Sequence, residues 1–334
     1  MDRQFPPTRM EHVMLHRQTP TRSRLRALTL GAGASLAAVG IGIASASPAQ
    51  AAPLPEGGLA ESLANYAAAP GYVRGANDWT CKPSADKPNP VILVPGTFTN
   101  MGSSFVKIAP RLKNAGYCVY ALNYGMTAAS FGRVGGLGHI KDSANQLASF
   151  VQRVRTSTGS AKVDIVGHSQ GGSVPMWWMK KMGGASQVDH YVGWAPSSHG
   201  TDLNGIVTLG NTFNAMGFVT GLSEFGQFPG AIDQTYSSDY TRELWADGNR
   251  VPTGPSYTVV MTKYDKVVTP YQTQALEGDD VNNVLLQERC PGDFTGHALI
   301  YLDDPTLQLT MNALADGPKS FRPACRGYAP IPFA

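Results

Sequence analysis

Cysteine is scarce in this sequence, with only 4 among 334 residues, and no two cysteines have the C-x-x-C spacing. The closely spaced pairs typical of zinc sites and dithiol redox centres are therefore missing. No group of histidines and carboxylates has the spacing of metal ligands, so we expect no metal. The chain also lacks internal repeats, low-complexity tracts and a dividing linker. These absences favour one large domain.

The first 51 residues differ in composition from the rest. Arg22, Arg24 and Arg26 precede a weakly apolar run over 27–43, which is followed by Ala49-Gln50-Ala51. Basic residues, a short apolar run and an A-x-A site are the three parts of a secretory signal peptide. Because the run is rich in Gly and Ala and ends at a cleavage site, a retained membrane span is disfavoured. We expect residues 1–51 to be an N-terminal extension with a signal peptide, and the protein to be secreted.

Excess positive charge is confined to that leader. The whole chain has a net charge of +3, but removing residues 1–51 removes six arginines and two acids, leaving 21 basic and 22 acidic residues, a net charge of −1. The mature chain therefore gives no reason to expect a nucleic acid partner.

All four cysteines lie in the predicted mature part, and an even number in an exported protein favours two disulfides. Three connectivities are open. We expect Cys81 to pair with Cys118 and Cys290 with Cys325, because each pair closes a local loop of about 36 residues.

Short apolar runs alternate with helix-like segments from residue 90 onward, which is typical of parallel strands joined by crossover helices. One amphipathic stripe at spacings of three and four runs from Ile140 to Val154 and predicts a helix packed on the sheet. The predicted fold class is α/β, with a mostly parallel sheet of about six strands and helices on both faces. The candidate strands are Val91 to Val94, Cys118 to Leu122, Val163 to Gly167, Tyr191 to Trp194, Tyr257 to Met261 and Val284 to Gln287.

More than sixty residues separate the Tyr191 and Tyr257 strands, far more than an ordinary connection. The section from Met216 to Ile232 combines aromatic and aliphatic residues with several glycines. It could be a mobile apolar cover over a substrate cleft or an insertion that packs on the core. We expect residues 52–334 to form a single domain with a lid-like insertion around 205–250.

The stretch GHSQGG over 167–172 matches G-x-S-x-G, in which a serine occupies a sharp turn between a strand and a helix. Lys162 to Val166 before it favours a buried strand, and Ser173 to Met182 after it favours a helix. This order predicts that Ser169 is a nucleophile of the kind found in α/β-hydrolases. The alternative is a glycine-rich turn whose serine only caps the following helix.

A serine nucleophile needs a base, and the base needs an acid behind it. In α/β-hydrolases the chain order is Ser, acid, His, which favours His297 over His190, just before a strand, and His199. Asp265 follows the penultimate strand and is the expected acid. Its rivals are Asp279, Asp280, Asp303 and Asp304. Two N–H donors must also hold the oxyanion, and we expect them at Gln170, after the nucleophile, and at Thr97, after the first strand.

At these residues the chain resembles secreted α/β-hydrolase lipases, especially class 2 bacterial triacylglycerol lipases and, more distantly, the fungal lipase B type. The similar features are Val94 to Thr97, GHSQGG, Ala195 to Thr201, Tyr264-Asp265 before Val268-Thr269-Pro270, and Gly296-His297. The resemblance implies the triad Ser169, Asp265 and His297, oxyanion donors at Thr97 and Gln170, and no cofactor. Pro95 departs from the bacterial type, which has His before the glycine.

The sequence thus predicts a serine carboxylic ester hydrolase, a lipase or esterase. We expect a monomer that acts on ester or lipid substrates, with a lipid–water interface as a further partner. An acyltransferase or a polyester hydrolase would keep the same residues. A non-catalytic lipid-binding protein would lack a triad member, and none is missing.

Overall fold

Six strands form the centre of the domain. The computed structural model describes residues 52–215 and 228–334, so the predicted signal segment lies outside the described residues. The strands are Val91–Val94 (β1), Val119–Ala121 (β2), Val163–His168 (β3), Val188–Trp194 (β4), Ser256–Met261 (β5) and Val281–Leu285 (β6). They pair in the order β2-β1-β3-β4-β5-β6, and every pair is parallel. The predicted fold class is confirmed.

Two strands differ from the sequence-based expectation by more than one residue at an end, and β6 begins at Val281 rather than Val284. β4 begins at Val188 rather than Tyr191, so His190 lies within the strand and not just before it. β6 ends at Leu285, and Leu286 and Gln287, expected in the strand, begin a helical turn. Leu286 is fully buried there. A short apolar run buries its side chains equally well as strand or helix, and its periodicity alone does not separate the two.

Ten α-helices occur in the described ranges. None of them combines the length and apolar composition needed to cross a membrane. They are Leu59–Ala68 (α1), Met101–Ser104 (α2), Ile108–Asn114 (α3), Ile140–Thr158 (α4), Gln170–Lys181 (α5), Leu203–Ala215 (α6), Pro229–Ile232 (α7), Asp239–Leu244 (α8), Leu286–Arg289 (α9) and Asp304–Ala313 (α10).

Helices cover both faces of the sheet. On one face, Leu147 of α4 and Val174 of α5 share a core with Ile92 of β1. On the other face, Leu307 of α10 shares a second core with Leu93, the next residue of β1. Successive strand residues point to opposite faces, and because both faces are covered, the strands are continuous apolar runs. The predicted stripe from Ile140 to Val154 is the buried face of α4.

The long connection between β4 and β5 contains α6, α7 and α8. Of the predicted apolar cover, Met216 to Ile232, only residues 228–232 belong to the described part of the chain. The lid role of this insertion stays a prediction.

Both disulfides join the cysteines predicted from loop length. Cys81 pairs with Cys118 and Cys290 pairs with Cys325, with sequence separations of 37 and 35 residues. The first bond connects the segment before β1 to the residue before β2. The second fastens the C-terminal segment to the residue after α9.

Candidate active site

The four predicted catalytic and oxyanion positions outside α5 lie after strands of the sheet. Thr97 follows β1, Ser169 follows β3, Asp265 follows β5 and His297 lies in the loop after β6 and α9. The carboxyl ends of parallel strands share one edge, here called the carboxyl edge, and the opposite one is the amino edge. The chain leaves β1 to form β2 on one side and β3 on the other. Sites in such sheets lie where the strand order reverses in this way.

Ser169 occupies a strained turn between β3 and α5. Its backbone has φ 56° and ψ −123°, a region that residues with a side chain rarely occupy. A Cβ on Gly167 would lie 2.0 Å from the carbonyl oxygen of Gly171, and one on Gly171 would lie 2.1 Å from that of Val94. The two glycines of the motif are therefore required by close backbone approach.

Ser169, His297 and Asp265 form a hydrogen-bonded series. His297 Nε2 lies 2.9 Å from Ser169 Oγ, and His297 Nδ1 lies 2.7 Å from Asp265 Oδ2. All three side chains are buried. In this arrangement an imidazole can take a proton from the hydroxyl at one nitrogen while the carboxylate orients the other nitrogen.

Asp265 is held by more donors than the sequence indicates. Its Oδ1 accepts the backbone N–H groups of Val267 and Val268 at 2.7 and 2.8 Å, and Gln274 Nε2 donates to Oδ2 at 2.8 Å. These donors fix the plane of the carboxylate toward His297. The sequence did not predict this role of Gln274, because no sequence pattern distinguishes it from any other glutamine in a loop.

His168, the residue before Ser169, holds the backbone of the loop that carries His297. Its Nε2 lies 3.0 Å from the carbonyl oxygen of His297, and since a carbonyl only accepts, this nitrogen carries the proton. Burial, and then the neighbouring His297, lower the pKa of the His168 imidazole to about 3. His168 is therefore a neutral donor at ordinary pH. The motif contains this residue, but its spacing gives no hint of the contact.

Of the two expected oxyanion donors, Gln170 directly follows Ser169 and Thr97 follows Gly96, on which a Cβ would lie 3.1 Å from Ser169 Cβ. Among the described residues, no hydrogen bond uses the backbone N–H of Thr97 or of Gln170. Gln234 Nε2 donates to Thr97 Oγ1 at 2.8 Å, which leaves the hydroxyl proton of Thr97 free to point elsewhere. Gln234 lies two residues after the end of α7, 137 residues from Thr97 along the chain, and no sequence signal connects the two.

The rival histidines lie elsewhere. His190 Nδ1 lies 2.9 Å from Asp164 Oδ1 at the amino edge, and its Nε2 lies 3.0 Å from Asp316 Oδ1. Burial acts to lower the pKa of His190, but the two acids outweigh it and raise it to about 9. His199 stacks on Trp245, with ring centroids 4.4 Å apart. No hydrogen bond within the described chain joins either imidazole to Ser169.

The rival acids have other partners. Asp279 pairs with Arg250 and Asp280 with Lys319 at the surface. Asp304 forms salt bridges with Lys107 and Arg111, and Asp303 caps α10. Each of these contacts fits a structural role.

Within residues 52–215 and 228–334, one group of side chains that could hold a metal ion lies at the amino edge. One ligand atom from each of Asp164, Asp189 and His190 lies within 4.8 Å of the others, a grouping that sequence spacing did not indicate. Lys162 and Asn89 donate to Asp189 at 2.8 Å each. The acids thus have cationic and amide partners, and an ion-pair network accounts for the cluster.

Two buried carboxyl groups lie beside the loop that carries His297. Asp293 Oδ1 accepts the N–H of Thr295 at 2.9 Å, and Asp303 Oδ1 accepts the Thr295 hydroxyl at 3.2 Å. Asp303 Oδ2 accepts the N–H of Thr306 at 2.9 Å. Burial, and then the charge of Asp293, raise the pKa of Asp303 to about 7.

We therefore expect Asp303 to make the folding stability pH-dependent. The folded state holds a proton that the unfolded chain, with an ordinary pKa of 3.8, releases. Stabilisation present below about pH 4 is lost as the pH rises to about 7. In Asp303→Asn this loss, up to about 4 kcal/mol of unfolding free energy, should disappear. Urea unfolding across this pH range measures the difference between the two proteins.

Asp304→Asn is the matched control. Partial burial raises the pKa of Asp304, but Lys107 and Arg111 outweigh it and hold the pKa below its ordinary value. Its contribution has the opposite sign, so it is present above about pH 4 and is lost as the pH falls. Parallel stability curves for wild type and Asp303→Asn would show the assignment to be wrong.

An apolar cluster adjoins the site on the insertion side. Its buried members come from α1, from the loops after β1 and β5, from the 127–139 loop and from α6 and α7. Phe98 follows Thr97 directly, and its ring lies 5.7 Å from that of Phe228, centroid to centroid. The cluster comprises Tyr66, Phe98, Leu137, Ile206, Leu209, Ala231, Val267 and Val268, with Val134 and Phe228 partly buried against it.

The six-stranded parallel sheet, the helices on both faces and the serine on its strand–helix turn define an α/β-hydrolase. Solved structures with this fold are similar to the chain. Aspergillus fumigatus lipase B matches with a TM-score of 0.57 and 20% identity, over 75% of this chain and 57% of that one. A structure from the metagenome-derived lipolytic enzymes LipS and LipT matches with a TM-score of 0.51 and 14% identity, over 73% of this chain and 99% of that one.

Within that fold, residues 88–308 match the family described as Lipase (class 2). The chain belongs to the class 2 lipases. The predicted resemblance to this family is confirmed. The chain spans little more than half the length of the Aspergillus lipase.

Proposed function

We propose that the protein hydrolyses carboxylic esters with an apolar acyl group, by a triad of Ser169, His297 and Asp265. The observation that carries this proposal is the pair of contacts at His297, 2.9 Å to Ser169 Oγ and 2.7 Å to Asp265 Oδ2. The order of these residues after β3, β5 and β6 is that of α/β-hydrolases.

Acyl transfer to the enzyme is the first half of the proposed reaction. Ser169 Oγ attacks the ester carbonyl carbon while its proton passes to His297 Nε2. The carbonyl oxygen becomes an oxyanion that the N–H groups of Thr97 and Gln170 hold, and the Thr97 hydroxyl can add a third donor. Collapse breaks the bond to the alcohol oxygen, which takes the proton from His297.

Water completes the cycle. His297 removes a proton from water, the hydroxide oxygen attacks the acyl-serine, and the same donors hold the second oxyanion. Ser169 leaves with the proton from His297, and the products are one carboxylic acid and one alcohol. These steps consume only ester and water.

The apolar cluster beside the oxyanion loop supports an apolar acyl group. Two members of this cluster are close to proposed site residues in the chain. Phe98 directly follows Thr97, and Val267 lies two residues after Asp265. An acyl chain that leaves the carbonyl carbon on this side enters apolar surroundings, and each buried CH₂ stabilises binding by about 0.8 kcal/mol.

We also propose that the protein is secreted. The two disulfides are consistent with folding in an oxidising compartment. The composition of residues 21–51 supports a signal peptide, and that segment lies outside the described residues.

A series of p-nitrophenyl esters from acetate to palmitate tests the function. We expect hydrolysis of every soluble ester, with kcat/KM rising as the acyl chain lengthens. Equal yields of nitrophenol and free acid should persist when a competing alcohol is added. A folded wild-type protein that cleaves no ester would refute the proposal, and predominant transfer to the alcohol would identify an acyltransferase.

A further inference from the structure

Three aromatic rings and two lysines form an exposed patch at the carboxyl edge. Ring centroids of Tyr264 and Phe294 lie 5.4 Å apart, those of Tyr264 and Phe333 5.1 Å, and those of Phe294 and Phe333 5.6 Å. Lys263 Nζ lies 5.1 Å from the Tyr264 ring centroid, and Lys266 Nζ lies 5.9 Å from that of Phe333. These five residues are here called the aromatic patch.

The patch borders the proposed catalytic loops. Tyr264 is the residue before Asp265, and Phe294 lies three residues before His297. The C-terminal segment completes the patch, since Phe333 N–H donates to the carbonyl oxygen of Phe294 at 2.8 Å. A Cβ on Gly296 would lie 2.6 Å from the carbonyl carbon of Phe333, so this segment lies tightly against the histidine loop.

The rings are too exposed for a core. Phe294 is 44% exposed and Phe333 is 47% exposed, and Ile331 in the same segment is 42% exposed. Phenylalanine is among the residue types most often buried, and adjoining exposed apolar side chains mark interaction surfaces. The contacts among the three rings leave roughly half of each phenylalanine in water.

The charge of the patch indicates the chemistry of its partner. Lys263 and Lys266 are exposed, and within the described part of the chain neither forms a salt bridge with an acid. Aromatic side chains favour the head-group level of a lipid surface, while lysines beside them attract anionic lipids. Rings flanked by unpaired cations complement a negatively charged lipid surface.

We propose that the aromatic patch docks the enzyme on an anionic lipid–water interface. The proposal rests on the proposed function in one respect: ester hydrolysis at a surface releases acids whose carboxylates make that surface negative. Docking through this edge brings the loops of Asp265 and His297 against the lipid phase that supplies the ester.

Vesicle binding tests the proposal apart from catalysis. The mature Ser169→Ala protein, residues 52–334, is mixed with vesicles of phosphatidylcholine alone or of phosphatidylcholine with phosphatidylglycerol, and the bound fraction is measured by flotation. We expect binding to the mixed vesicles and much weaker binding to pure phosphatidylcholine. Lys263→Gln with Lys266→Gln should lower the partition coefficient about fivefold per lysine, hence about 25-fold together. Phe294→Ser with Phe333→Ser should lower it about tenfold or more.

Matched controls come from the amino edge. Met182 is 40% exposed at the end of α5, so Met182→Ser removes a comparable apolar surface far from the patch. Lys82→Gln with Lys87→Gln, just before β1, makes the same change in charge. Neither control should alter vesicle binding by more than about twofold. The patch changes are also made in protein that retains Ser169. We expect the melting temperature of these variants and their activity on a soluble short-chain ester to match those of wild type.

The outcomes separate the two proposals. Inactivity of the wild type on soluble esters would refute the proposed function, while the vesicle result would still decide the patch. Equal binding to both vesicle types, no binding to either, or losses equal to those of the controls would overturn the docking proposal. A dimer in gel filtration that the two phenylalanine changes dissociate would also overturn it, because the patch would then be covered by a second copy.

Discussion

Replacing Ser169 with alanine is expected to lower kcat on soluble esters by a factor on the order of 10⁵ to 10⁶. The change removes the oxygen that lies 2.9 Å from His297 Nε2, and the imidazole then has no hydroxyl to activate. The N–H groups of Thr97 and Gln170 remain, so a small rate above that of water should persist. Initial rates on p-nitrophenyl butyrate measure the loss.

Ser143→Ala is the matched control for this change. Ser143 is fully buried in α4, and its hydroxyl donates to the carbonyl oxygen of His139. We expect its activity to stay within a few-fold of wild type. Thermal melting should show that Ser169→Ala is folded, since the strained backbone at position 169 accommodates either side chain equally. If Ser169→Ala retains a tenth of the wild-type rate, the nucleophile lies elsewhere.

Asp265→Asn is expected to lower kcat by a factor on the order of 10⁴. An asparagine has one acceptor oxygen, and the N–H groups of Val267 and Val268 compete for it against the donors on the other side. With the oxygen turned to those backbone groups, the amide NH₂ faces His297 Nδ1 and Gln274. His297 must then accept at Nδ1 and carry its proton at Nε2, where it cannot take the proton of Ser169.

Asp164→Asn tests whether the acid belongs instead to the other buried pair of histidine and aspartate, His190 and Asp164. Asp164 lies 2.9 Å from His190, but it is five residues before Ser169 on β3, about 16 Å along an extended strand. We expect Asp164→Asn to keep kcat within a few-fold and to lower the melting temperature. A loss in Asp164→Asn as large as in Asp265→Asn would transfer the acid role to the amino edge.

Chain order and loop position predicted much of this site. Ser169, Asp265 and His297 each follow a strand that could be recognised as an apolar run, and carboxyl ends of parallel strands share one edge. The fold therefore brings together residues that are up to 128 positions apart. The rival acids Asp279 and Asp280 lie directly before β6, at the amino edge of the sheet. Their position in the sequence alone did not exclude them as the acid.

The glutamines that orient these groups were beyond prediction. Gln274 and Gln234 act through side-chain amides whose direction depends on loop conformation, and loops carry no periodic signal. β4 was predicted too short for a related reason. Its first residues include Asp189 and His190, whose polar side chains interrupt the apolar run although their backbone pairs in the sheet.

The bond between Cys290 and Cys325 encloses His297 in a loop of the chain, and the segment beyond Cys325 supplies the wall against which Gly296 lies. With reduced thiols, that wall would be tethered by noncovalent contacts alone, and loop-closure entropy of about 3 to 4 kcal/mol would oppose its return. The bond therefore holds the C-terminal segment close to the loop that carries His297. For a protein secreted as proposed above, the loop of the proposed general base would be completed only after the chain has left the reducing interior of the cell.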